Sequence, residues 1–116
     1  MARKIIVNPH KCPVTHAMNI IGGKWKPIII YILSKGNLRF GKFLIFIPSI
    51  SRKVLTNQLR EMEADGLIKR EKFAEIPPRV EYSLTRSGEG LVPLFYSMAD
   101  WSKEFAKDIV FETLPD

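Results

Sequence analysis

The stretch from Ser51 to Leu84 constrains this chain more than any other. Residues 51–65 (SRKVLTNQLREMEAD) read as one short amphipathic helix, and Gly66 stops it. Stepping about 100° per residue from Leu55 brings Leu59 and Met62 within about 40° of it. Lys53, Thr56, Asn57 and Arg60 gather on the opposite side. That outward face carries two cations, an amide and a hydroxyl, and no acid. Solvated helix faces ordinarily mix both signs, so this one is suited to meet an anion. From Leu67 to Leu84 apolar and polar residues alternate around a Pro77-Pro78 tip, which is the pattern of a β-hairpin. A basic-faced helix followed at once by a basic hairpin is the layout of a winged helix-turn-helix.

Charge is segregated along the chain. The net charge of +6 combines eleven Lys and Arg with no acid in residues 1–60, and seven cations against twelve acids in residues 61–116. Solubility does not require such segregation, whereas a one-signed field speeds encounter with a polyanion. Double-stranded DNA is therefore the expected partner. The competing reading from another class is a winged helix used as a protein–protein interaction module without specific DNA binding. Such a module calls for an acidic or apolar outward face, and this one is basic.

Length and composition bound the rest. A chain of 116 residues with 46% apolar residues fits one globular domain of class α+β, mainly α. No apolar run reaches the ~20 residues of a membrane span, and the N-terminus lacks a signal-peptide pattern. One cysteine, Cys12, rules out an internal disulfide framework and fits a reducing cytoplasm. Catalytic machinery is not expected: there is no glycine-rich phosphate loop and no pair of carboxylates in an apolar setting. His10, Cys12 and His16 lack the spacing of a zinc module, so neither metal nor cofactor is expected.

In chain order, residues 1–11 read as a flexible basic arm and residues 12–116 as a single domain. Pro13 suits the first turn of a helix on which Val14, Ala17, Met18 and Ile21 share a side, and Gly22-Gly23 ends it. A second helix over 24–34 carries Trp25, Ile28, Ile29 and Ile32 as its expected buried stripe. Leu38 to Phe40 reads as a short strand. A third helix, about 40–47, places Phe40, Phe43, Leu44 and Ile47 on one side, and Pro48-Ser49-Ile50 turns into the helix at Ser51. Two helices joined by so short a turn are what a helix-turn-helix requires. Ser51, or Ser49, can cap the second of them, and with no acid in its first turn the amides and dipole stay open to a phosphate oxygen.

In the hairpin, expected at about 67–84, Ile68, Val80, Tyr82 and Leu84 can face the core, with Lys69, Arg70, Lys72 and Arg79 supplying charge. Arg79, beside the proline tip, suits a minor groove, whose negative potential attracts arginine. A salt bridge to Glu75 or Glu81 is the alternative. Thr85-Arg86-Ser87-Gly88 opens a last helix, expected over about 86–111, on which Leu91, Leu94, Phe95, Met98, Trp101, Phe105 and Ile109 recur at three- and four-residue steps. So large an apolar stripe exceeds what one small body can cover, which predicts a dimer face.

These residues resemble the HxlR-type family of winged-helix transcriptional regulators, relatives of the MarR group. The matching phrases are Cys12-Pro13-Val14, Ile21-Gly22-Gly23-Lys24-Trp25, Leu38-Arg39-Phe40, Ile50-Ser51 with Leu55-Thr56, Leu59-Arg60, Asp65-Gly66-Leu67-Ile68, Pro77-Pro78-Arg79-Val80-Glu81-Tyr82 and Leu84-Thr85 with Gly88. The resemblance implies a cytoplasmic, bacterial or archaeal homodimeric DNA-binding regulator, expected to be a repressor although activators occur in the family, and its mechanism predicts a pseudo-palindromic operator. It implies that the helix from Ser51 enters the major groove and the hairpin touches the flanking minor groove. Lys53, Thr56, Asn57 and Arg60 are then the base-facing candidates, with Ser51, Arg52 and Arg39 on the backbone and Arg79 in the minor groove. It also implies dimerisation through the N- and C-terminal helices, with Val14, Met18, Ile21, Leu94, Met98, Trp101 and Phe105 as interface candidates.

The family's pattern is broken in three places. Lys42 stands where an acid is usual, and Leu44-Ile45-Phe46 replaces polar residues, so either something covers that helix or Ile45 and Phe46 form an exposed patch. Ser49 replaces a common glycine. Some members of the family sense oxidants or electrophiles at the place of Cys12, which would make the inducer redox or small-molecule chemistry. Lys11, His10, His16 or the helix N-terminus could lower its pKa. The other reading of Cys12 is a small buried packing residue.

Overall fold

The computed structural model describes Ile5 and residues 7–109, the side chain of His10 excepted; the remainder of the basic arm and of the C-terminal segment lies outside the described residues. A 3₁₀ turn (Pro9–Lys11) leads into five helices, α1 (Pro13–Ile21), α2 (Lys26–Leu33), α3 (Phe40–Phe46), α4 (Arg52–Ala64) and α5 (Arg86–Phe105), with strands β1 (Ile68–Phe73) and β2 (Arg79–Leu84) between the last two. This is a winged helix-turn-helix: α3 and α4 form the helix-turn-helix, and β1–β2 form the wing.

The core is built where the periodicity placed it, with one rotation. Leu55, Leu59 and Met62 of α4 are buried against Phe43 and Ile47, with Ile50, Leu67 and Ile68 closing the base of the wing. On α2 the buried residues are Ile29, Ile30 and Leu33, whereas Trp25 and Ile32 are half-buried and Ile28 is exposed. Three isoleucines in a row carry no periodicity, so the sequence could not select the inward face. Lys26, at the start of α2, forms an ion pair with Glu61 of α4 at 2.8 Å and ties the two helices together.

The wing is an antiparallel pair in the register Ile68↔Leu84, Arg70↔Tyr82, Lys72↔Val80 and Phe73↔Arg79. The strand expected at Leu38–Phe40 is reduced to one bridge: Leu38 and Tyr82 exchange backbone hydrogen bonds of 3.0 and 2.8 Å. Arg39 already serves as N-cap of α3, so the chain leaves the sheet after a single residue. β2 is thereby the central strand and β1 the outer edge.

Gly66 (φ +75°) takes the left-handed conformation that lets α4 end and turn into β1. At the same end of the wing, Thr85 caps α5 by accepting from the amide of Gly88, and its hydroxyl donates to the carbonyls of Gly66 and Leu67. A Cβ on Gly88 would lie 2.2 Å from the carbonyl oxygen of Leu67, so this close approach requires glycine. The expected last helix ran to about residue 111, but α5 ends at Phe105 and a turn follows through Ala106–Ile109. Asp108 opposes the helix dipole at that end, and residues 101–105 are all exposed, the circumstance in which helix termini give way.

Candidate nucleic-acid interface

α4 presents the face that its sequence dictates. Ser51, in extended conformation, accepts a 3.1 Å hydrogen bond from the amide of Val54, satisfying one of the orphan donors while its own hydrogen stays available. No acid occupies the first turn of α4. Lys53, Asn57 and Arg60 are exposed; Thr56 is half-buried and donates its hydroxyl to the carbonyl of Arg52 at 2.8 Å. What Thr56 still offers outward is its methyl group and its acceptor lone pairs. The Arg52 guanidinium lies 5.9 Å from the ring centre of Phe40, which steadies it at the start of α4. Arg39 is exposed at the N-cap of α3.

Arg79 is occupied otherwise. The two acids that competed with the groove in the sequence both hold it: Nη1 is 3.1 Å from Glu75 and Nε 3.0 Å from Glu81. The guanidinium also stacks 4.3 Å from the ring centre of Phe73, directly across the hairpin. Its buried Nε sits in charge contact with Glu81 but out of line for a hydrogen bond. In the free chain Arg79 thus holds the wing tip together.

A cleft between α4 and the wing contains residues that the sequence reading did not assign. Phe40, Thr56, Arg60, Glu63, Arg70 and Tyr82 line it. Thr56, Arg60 and Glu63 follow one another at i, i+4 and i+7 along α4, and Arg70 reaches in from β1. The signal was available in the hairpin register, since Arg70 has the parity of Ile68 and so shares the inward face.

The expected dimer residues divide. Val14, Met18, Leu94, Met98, Trp101 and Phe105 are all exposed, from 49% for Met18 to 71% for Val14. Ile21 is not: it is 5% exposed and belongs to the core, because the last turn of α1 folds onto the body just before Gly22. Ile21 is therefore removed from the interface. The apolar third helix resolves as an exposed patch, with Ile45 65% and Phe46 58% accessible.

Cys12 is the N-cap of α1 and is half-buried. The thiol makes no capping hydrogen bond as a neutral group. The amide of Thr15, then that of Val14 and the Thr15 hydroxyl, favour the thiolate and hold the pKa below its ordinary value. Of the groups that the sequence offered for this, the helix N-terminus is the one that acts.

Among the described residues no group of His, Cys, Asp and Glu could hold a metal ion, and no helix is long and apolar enough to cross a membrane.

The family model for HxlR-like helix-turn-helix proteins matches residues 20–109. The uncharacterized HTH-type transcriptional regulator YybR of Bacillus subtilis is 45% identical over 105 residues, covering 89% of this chain and 84% of the relative. Among solved structures, the redox regulator HypR in its oxidized form superposes with a TM-score of 0.76 at 46% identity, covering 80% of this chain and 96% of that one. The reduced form of the transcriptional regulator YodB from B. subtilis gives 0.76 at 34% identity, covering 83% and 95%. With the reading helix, the wing and these likenesses in agreement, the chain belongs to the HxlR-like helix-turn-helix family of DNA-binding transcriptional regulators.

Proposed function

We propose that the chain is a repressor that binds a pseudo-palindromic operator as a homodimer, its two α4 helices in successive major grooves about one helical turn apart. The observation that carries this reading is the outward face of α4, with no acid in its first turn and exposed at Lys53, Asn57 and Arg60. On this reading Lys53, Thr56, Asn57 and Arg60 face the bases. Ser51, Arg52 and Arg39 hold phosphates, the first two beside the open amides of the helix start. One domain, residues 12–116, carries both the reading head and the dimer helices. The protein acts in the cytoplasm, where the duplex it regulates lies.

Cys12 makes the repressor responsive to oxidants or electrophiles. Two features support this: its thiolate is favoured by the start of α1, and the similar protein HypR is described as a redox regulator. With one cysteine per chain, a disulfide must join two protomers. The two thiols would lose two protons and two electrons to the oxidant, and the new bond would reset the spacing of the reading heads. An electrophile would act by forming an adduct instead.

Selection of binding sites from random duplexes, followed by anisotropy titration of the recovered site, tests the whole reading. The expected outcome is a site with two related half-sites, bound less tightly after diamide treatment, with the response absent in Cys12→Ser. Recovery of single unpaired half-sites would sink the dimer reading. An unchanged wild-type curve after oxidation would sink the sensor.

A further inference from the structure

We infer that Arg70, across the cleft from the base-facing Arg60, is the wing's DNA contact, that it holds the phosphate backbone between α4 and the hairpin, and that Arg79 does not touch DNA. The inference rests on operator binding as proposed above and assigns the wing a different contact from the one its sequence offered.

The register supplies the geometry. Side chains alternate across a strand, and directly opposed residues share a face. Ile68, Arg70 and Lys72 therefore lie on one face with Leu84, Tyr82 and Val80, whereas Phe73 and Arg79 lie on the other with the Glu71–Glu81 pair. The first face is turned toward the helices, because the Tyr82 ring meets Phe43 edge-on at 6.0 Å between centres. Of the two arginines of the wing, then, Arg70 lines the cleft beside the reading helix and Arg79 does not.

Charge points the same way. Arg60 and Arg70 are exposed, and neither forms an ion pair among the described residues. Glu63 is the one acid in the cleft lining; it pairs with neither arginine, and the three groups leave one net positive charge there. Arg79, by contrast, is held by two carboxylates and a ring, which all have to be exchanged before it can enter a groove. The free Arg70 guanidinium, across the cleft from Arg60 and beside the base-facing stripe of α4, is suited to phosphate oxygens. The edge position of β1 leaves that side of the cleft open to a duplex.

The test is a salt titration of duplex binding by the full chain, read by anisotropy between about 50 and 200 mM salt, for the wild type, Arg70→Ala and Arg79→Ala. Arg70→Ala should bind every duplex about tenfold more weakly. Its log–log salt slope should be shallower by about 1.8, one phosphate contact per protomer of the dimer, and its melting temperature should not change. Arg79→Ala should melt earlier and keep the wild-type slope. A wild-type slope in Arg70→Ala, or a slope flattened in Arg79→Ala instead, overturns the assignment while leaving operator binding intact. Wild-type binding that ignores salt overturns both.

Discussion

Cys12 shows how little of a residue's chemistry its sequence neighbours decide. Lys11 and His16 stand beside it in the chain, yet the groups that favour the thiolate are the amides and hydroxyl of the first helical turn. Those act only once α1 has formed, so reactivity is a property of the folded chain. Because a lowered pKa enlarges the thiolate fraction at any pH below it, alkylation by iodoacetamide should rise with pH through a lower midpoint in the native protein than in urea. Coincident midpoints would show that α1 contributes nothing. Arg79 gives the complementary lesson. Its sequence offered three fates, and composition cannot weigh two acids and an opposed ring against a groove. Only the register, which sets Arg79 opposite Phe73, does that.

At the scale of elements, the sequence was most legible where apolar residues were spaced and least where they were consecutive. α4 could be read face by face because Leu55, Leu59 and Met62 are separated by polar residues. α2 could not, since Ile28, Ile29 and Ile30 carry no such phase. The third strand contracts to one residue pair because Arg39 is claimed by the next helix, a competition between neighbouring elements that neither segment reveals alone. The knot joining wing to α5 was legible only as the phrase Leu84-Thr85 with Gly88; its geometry explains both residues. Gly88→Ala would drive a methyl group into the Leu67 carbonyl, so it should destabilise the chain by about 1–3 kcal/mol in urea unfolding. A smaller loss would mean that the α5 start shifts freely against the wing.

At the scale of the whole molecule, the extents of 61 × 31 × 25 Å describe an elongated body. Only the first part of α5 is packed on that body: Tyr96 meets Tyr31 edge-on at 6.0 Å, and the Lys35 ammonium donates to the Tyr96 hydroxyl at 3.0 Å. That hydrogen bond, with both rings nearby, holds the Lys35 pKa above its ordinary value. Beyond it Met98, Trp101 and Phe105 are exposed, and Trp101 and Phe105 contact one another. Trp101→Asp should convert the chain to a monomer at micromolar concentration, with at least about 2 kcal/mol lost from association, as measured by sedimentation equilibrium. Operator affinity should fall with it. An unaltered dimer would move the interface away from α5.

A spine of this length also acts as a lever. Twenty residues at 1.5 Å each make α5 about 30 Å long, so a pivot of about 5° at its exposed end moves its wing end by about 2.6 Å. One base-pair step along a duplex strand is about 3.4 Å. In the proposed homodimer, a slight change of angle between the two spines is therefore enough to put the pair of reading helices out of phase with the helical repeat of DNA, with no residue of either helix disturbed.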